Sequence, residues 1–336
     1  MYYIQMKIKH ICISSGGYAG LYGLGALEVL KQNSFYSYSD LSSVYGTSIG
    51  SVLLLILLLD IDWKDVIHYV TKRPWYKLVD ITNVFNLYET KGIFHVDLFY
   101  TFYEPLFKMK QYDLSMTFIE LYEKTNISFH VFTTDVSTFQ YKECSHLTCP
   151  HMKVIDAVYM SSSIPIVFEP LWYDNTYFVD GAVHICDPTI VCQQRNIEEK
   201  DNILSIVFRR NKDIIFTKDM NFVNYFITFT FNIIRQMNKQ NIVDDKDKHK
   251  HVLYIPFDDI SIDTLSEILQ EESLRKQYVQ KGRDYTRVFL RYKQEENTRE
   301  EKTREENTRE EKTREENNNE ETTRKIENKH IKLKEE

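Results

Sequence analysis

The sequence has no apolar run long enough to cross a bilayer. Its strongest, residues 52–59, ends at Asp60 after eight positions, whereas a spanning helix needs about 20; the run predicts a buried core helix. Residues 1–10 contain no extended apolar segment, so no signal peptide is expected. Cysteine is scarce, with Cys12, Cys144, Cys149, Cys186 and Cys192 and no Cys-x-x-Cys. That odd count does not make a disulfide framework, and a reducing, cytoplasmic setting is expected. Positive charge is not in excess either: the formal net charge is −7, which argues against a nucleic-acid partner.

What is present describes a packed body with a charged tail. Hydrophobic residues make up 43% and aromatic residues 14%, including 23 Tyr and 20 Phe. A body of this size and composition can bury a substantial core. Residues 8–14 read as a short strand ending in glycines, and 20–32 as a helix. Val44 and Tyr45 then lead into Gly46-Thr47-Ser48-Ile49-Gly50 and the apolar run. Strand, glycine turn and helix thus occur twice, the pattern of an α/β fold with a mainly parallel central sheet flanked by helices. Residues 63–124 read as helical and aromatic-rich. Further strands are expected at 127–134, 177–179, 203–208 and 252–255, and helices at 219–239 and 273–291.

The composition changes at Glu295, which suggests a domain over 1–293 and a tail over 294–336. The tail holds 15 acids and 11 bases from Glu295 onward, leaving about −3 on the body. Its five-residue repeat places Glu295, Glu300 and Glu305 four positions before Arg299, Arg304 and Arg309, a weakly helix-favouring arrangement. No apolar stripe accompanies it, so a solvated, disordered or loosely helical tail is expected, not a coiled coil.

Three short motifs bear chemistry. Gly46-Thr47-Ser48-Ile49-Gly50 is a G-x-S-x-G between a strand and a helix. In such a turn small neighbours let a serine hydroxyl project beside the helix N-terminus. Ser14-Ser15-Gly16-Gly17-Tyr18-Ala19-Gly20 can converge backbone N–H groups on one point, as an oxyanion hole or a phosphate cradle does. No Gly-Lys-Ser/Thr follows it, and Gly23-Leu24-Gly25-Ala26-Leu27-Glu28 lacks the third glycine of a dinucleotide fingerprint. Asp180-Gly181-Ala182 follows the strand-like 177–179 and by itself reads as a turn.

Taken together over residues 8–188, these motifs resemble the patatin-like phospholipase family, as do Val158 to Pro165, Lys91-Gly92-Ile93-Phe94 and Asp187-Pro188. The resemblance implies a three-layer sandwich and a lipid acyl hydrolase that uses a Ser-Asp dyad without histidine or cofactor. It implies Ser48 as nucleophile and Asp180 as base, with oxyanion donors among Gly16, Gly17 and Gly20. Gly46, Gly50 and Gly181 would shape the turns. Expected partners are a phospholipid or lysophospholipid substrate and a peripheral membrane surface. The family does not use a histidine at the position of His184, so that residue is expected to be a polar rim group.

The chain departs from the family's glycine loop at Ser15, which replaces a glycine, and at Ala19, which replaces a cation. The second change keeps two other readings open: a lipid- or partner-binding protein with little turnover, and a general esterase or thioesterase. Cys144, His146, Cys149 and His151 offer soft ligands, but their spacing matches no known finger, and no metal is expected. Phe222, Phe226, Phe229, Ile233 and Met237 form a helical stripe expected to face the core. The basic-aromatic residues 72–77 fit an interfacial anchor better.

Overall fold

The computed structural model describes residues 7–78, 87–211, 216–238, 250–258 and 261–332. The expectations for residues 1–6, for Lys239 and for the last four residues of the tail lie outside them. The strands are β1 (His10–Ile13), β2 (Ser43–Thr47), β3 (Gly92–Phe94), β4 (Ser128–Asp135) and β5 (Gln140–Cys144). They continue with β6 (Ile166–Phe168), β7 (Leu171–Tyr173), β8 (Thr176–Asp180), β9 (Ile203–Arg210) and β10 (His251–Phe257). The helices begin with α1 (Gly20–Gln32), α2 (Ile49–Leu58), α3 (Trp63–Lys72), α4 (Leu87–Thr90), α5 (Asp97–Met109) and α6 (Phe118–Thr125). After them come α7 (Val154–Ser162), α8 (Thr189–Arg195), α9 (Phe222–Met237), α10 (Ile262–Gln270) and α11 (Glu272–Lys332).

The main sheet has the order β10-β9-β1-β2-β4-β8-β7, with β5 also on β4. From β10 to β4 the strands are parallel; β5, β7 and β8 run antiparallel to their neighbours. The α/β class read from the sequence is therefore what the chain adopts. β1 and β2 are buried at every residue, as parallel strands covered by helices on both faces must be. The short strands β3, β5, β6 and β7 carry no apolar period in the sequence, because three to five residues hold too little of one.

β4 is the pivot of the sheet. Its Phe132 lies opposite Thr47 of β2, and the next residue, Thr133, lies opposite Asp180 of β8. Two segments more than a hundred residues apart are thus delivered to consecutive rungs of one strand.

Two expectations about apolar segments change places. In the basic-aromatic stretch, Trp75 is buried and donates from Nε1 to the Val70 carbonyl at 2.7 Å. The Arg73 guanidinium lies over the rings of Tyr69 and Trp75, at 5.4 and 5.1 Å. Arg73 and Trp75 thus serve the fold, while Lys72, Pro74, Tyr76 and Lys77 of the same stretch stay exposed. The α9 stripe is also not simply core. Val223, Ile227 and Ile234 point inward, whereas Phe222, Tyr225, Phe229 and Ile233 are exposed. A helix buries only one side, and the sequence does not say which of two apolar sides that is.

By contact, the chain divides into residues 1–286 and 287–336, so the division falls inside α11. In the first unit, Arg275 ties the start of α11 to the end of α3. Only 3% exposed, it donates to the carbonyls of Thr71 (3.0 Å), Ile268 (2.6 Å), Leu269 (3.1 Å) and Arg73 (3.2 Å). Removing it strands buried acceptors. Arg275→Met is expected to lower unfolding free energy by about 3 kcal/mol in urea titration; a loss within error of zero would contradict this role.

Candidate active site

Ser48 ends β2 and precedes α2 with φ 55° and ψ −129°, a backbone conformation that costs a non-glycine residue about 1–3 kcal/mol. Its surroundings hold it there. The Ser48 N–H donates to Ser161 Oγ at 2.8 Å, and Ser161 Oγ donates to the Phe132 carbonyl at 2.6 Å. The Ser48 carbonyl accepts from Ser51 N–H at 2.8 Å and from Ser51 Oγ at 2.6 Å. A side chain at Gly50 would put its Cβ 2.1 Å from the Ile13 carbonyl oxygen, and one at Gly46 would meet the Ser51 backbone at 2.7 Å. The sharp turn therefore requires both glycines of the motif.

Asp180 closes β8. Its Oδ2 accepts the Ser48 hydroxyl at 2.6 Å and its Oδ1 accepts Ala182 N–H at 2.8 Å. Its own N–H donates to the Ser163 carbonyl at 3.0 Å, and its carbonyl accepts from Thr134 Oγ1 at 3.1 Å. Gly181 packs so closely that a Cβ would lie 2.0 Å from the Phe132 carbonyl oxygen. Ser48 is 4% exposed and Asp180 1%. Burial raises the Asp180 carboxyl to about 7, against the opposing bonds from Ser48 and Ala182.

The glycine loop leaves β1 beside this pair. The Gly50 position also approaches the Ser14 carbonyl, and the Gly20 position meets the Ile49 side chain, so both ends of the loop touch the first turn of α2. Ser15 sits outside the positive-φ region and donates its N–H to the Cys186 carbonyl at 2.9 Å, so its side chain is accommodated. Gly17 has φ 55°, which favours glycine, and Gly16 lies against the Phe208 ring. Among the described residues, no backbone acceptor takes the N–H groups of Gly16 and Gly17. Gly20 differs from its expected role: its N–H donates to the Gly17 and Tyr18 carbonyls, so it closes the turn and is not free to hold an oxyanion. Ala19 is buried. Arg210, at the end of β9, is held below the usual arginine range by burial and by Arg235, with Tyr18 of the loop opposing.

His184 lies edge-on to Phe139 at 5.1 Å, while the two Asp180 oxygens are bonded to Ser48 and Ala182. His146 is stacked flat on Tyr122 at 3.8 Å. Among the described residues no group of three or more His, Cys, Asp or Glu side chains could hold a metal ion.

Two positioning residues stand out only in three dimensions. Ser161, part of the serine-rich segment noticed in the sequence, locks the Ser48 backbone to β4. Asn238 carries no sequence signal at all. Its Nδ2 donates to the Ala182 carbonyl at 2.8 Å, and its Oδ1 accepts from Cys186 N–H at 3.1 Å. It thereby clamps the turn after Asp180.

A raised carboxyl makes the folded state bind a proton that the unfolded chain releases. Stability from Asp180 is thus present below about pH 4 and lost as pH rises through about 7. Asp180→Asn is expected to be more stable than the parent at pH 8, by about 2–4 kcal/mol. The gap should shrink toward pH 5, as read by denaturant titration at both values; a pH-independent gap would contradict the burial argument.

A family model described as patatin-like phospholipase matches residues 11–191. A probable lipid hydrolase of Invertebrate iridescent virus 6 is 28% identical over 180 residues, covering 52% of this chain and 60% of that protein. An uncharacterized protein of Acanthamoeba polyphaga mimivirus is 22% identical over 211 residues, or 62% of this chain and 68% of its own. Among solved structures, VipD from Legionella pneumophila aligns over 84% of this chain and 67% of its own, with TM-score 0.48 and 16% identity. The type III effector ExoU aligns over 83% and 53%, with TM-score 0.36 and 11% identity. The family match covers more than half of the chain and contains the glycine loop, the Ser48 turn and Asp180; the chain belongs to the patatin-like phospholipase family.

Proposed function

We propose that the protein hydrolyses carboxylic esters of lipid acyl chains, in phospholipids or lysophospholipids, through an acyl-enzyme on Ser48 with Asp180 as base. The observation that carries this reading is the 2.6 Å hydrogen bond from Ser48 Oγ to a buried carboxylate. Ser48 Oγ attacks the ester carbonyl as Asp180 takes its proton. The oxyanion is received by the N–H groups of Gly16 and Gly17 and by that of Ile49 at the start of α2. Collapse expels the alcohol, which takes the proton back from Asp180. Asp180 then removes a proton from water as the water attacks the acyl-enzyme; the Ser48 Oγ–acyl bond breaks, Ser48 Oγ takes the proton from Asp180, and the fatty acid is released.

A carboxyl titrating near 7 suits this role, because it accepts a proton in one step and returns it in the next. The substrate class places the protein against a lipid surface. Its five free cysteines fit a reducing, cytoplasmic compartment, and no helix among the described residues is long and apolar enough to cross a membrane.

Labelling with a fluorophosphonate probe tests the reading. The parent should label and Ser48→Ala should not. Asp180→Asn should label at least about 10²-fold more slowly, from loss of the base. In the parent the labelling rate should climb with pH through about 7, as Asp180 loses its proton. Ser161→Ala should slow labelling about tenfold, because the Ser48 turn loses its tether. A folded parent that stays unlabelled would overturn hydrolysis and favour a lipid- or partner-binding protein without turnover.

A further inference from the structure

The outward side of α9 is an apolar stripe that stays exposed among the described residues. Phe222 is 65% and Phe229 43% exposed, with Tyr225 and Ile233 exposed in the same row. Spacings of three and four residues put them on one face. The rings form a layer: Phe222 meets Phe226 at 4.7 Å, and Tyr225 stacks on Phe229 at 6.2 Å. Phe216, just before the helix, is exposed and lies edge-on to Tyr225 at 6.0 Å. A contiguous aromatic patch of this kind marks an interaction surface.

We propose that this face docks the protein on a phospholipid bilayer; the choice of occupant rests on the lipid-ester reading above. The opposite side of the helix belongs to the active site. Ile234 packs on Ala182 and Val183, in the turn that follows Asp180, and Asn238 clamps the same turn. Val223 and Ile227 pack with Ile164, which follows the Ser161–Ser163 stretch that bonds Ser48 and Asp180. One helix, about 10 Å across, therefore separates the exposed aromatics from the elements that hold the dyad. An interfacial helix settles about 5–10 Å into the headgroup and acyl boundary, the depth at which acyl esters lie.

The charge pattern agrees. α9 contains no Asp or Glu, so no acidic side chain of this helix would meet anionic headgroups. Aromatic side chains are favoured where one end is apolar and the other wet. The basic-aromatic residues 72–77 offer a smaller apolar surface, since Arg73 and Trp75 are committed to the body and Tyr76 is the exposed aromatic there.

Flotation with vesicles of phosphatidylcholine and a minor share of phosphatidylserine decides the matter. It is run on the full Ser48→Ala chain so that binding is read without turnover. That chain should float, and adding Phe222→Ser with Phe229→Ser should reduce the floated fraction at least about tenfold. Leu147→Ser, at a 74% exposed position elsewhere, should float like its parent. A second variant that keeps the apolar face, Phe222→Trp, should gain fluorescence quenching from vesicles with brominated acyl chains.

Failure of the parent to float, or equal flotation after the double substitution, would overturn the proposal. So would self-association in lipid-free solution that the double substitution abolishes, since the face would then belong to a second copy. Vesicle binding without probe labelling at Ser48 would sink the hydrolase reading and leave this one standing.

Discussion

The backbone of Ser48 is the constraint on which the site depends. A serine at φ 55° and ψ −129° relaxes unless its neighbours forbid it. Here the restraint comes from three directions. Ser161 ties the N–H to β4, Ser51 caps the carbonyl, and the two flanking glycines let the turn press on Ile13 and on α2. Because Ser161 spans from the turn to the Phe132 carbonyl, the geometry of the Ser48 turn is coupled to the register of the sheet. The same strand carries Thr133 opposite Asp180, so one strand positions both Ser48 and Asp180.

Burial gives the carboxylate its character. In the proposed reaction Asp180 works without an imidazole, so its own affinity for a proton must match the chemistry. Desolvation raises it, and hydrogen bonds from Ser48 and Ala182 restrain the rise. The outcome near 7 opposes stability at neutral pH, an expense the body absorbs through its buried α2 and fully covered β1 and β2. The site thus depends on the core being large, because a smaller or wetter one would return Asp180 toward an ordinary carboxylate.

The two apolar segments that the sequence set side by side end in opposite roles. Residues 72–77 carry a tryptophan and three bases; cation–π contacts and the Arg275 network hold Trp75 and Arg73 against the body, while Tyr76 and Lys77 stay exposed. α9 carries apolar residues on both sides, and its neighbours Ile164, Ala182 and Val183 can cover only one. Phe222, Tyr225, Phe229 and Ile233 on the second side are exposed. Composition can reveal that a segment is amphipathic, but the partners available decide which face is hidden.

Local chemistry alone fixed much of this protein. Alternating glycine turns and apolar runs marked the parallel α/β body, and the G-x-S-x-G between strand and helix marked Ser48. The Asp-Gly after a strand marked Asp180 through the resemblance that joins the three motifs. Each of these signals is short-range: a turn that needs glycine, or a strand buried on both faces. The tertiary structure decided what depends on distant partners. It placed Ser161 between Ser48 and β4, took Gly20 out of the donor set, brought in Asn238, and left one side of α9 bare. Those outcomes arise from pairings that no local pattern encodes, since a hydroxyl, an amide or an apolar face reads the same in sequence whatever meets it in the fold.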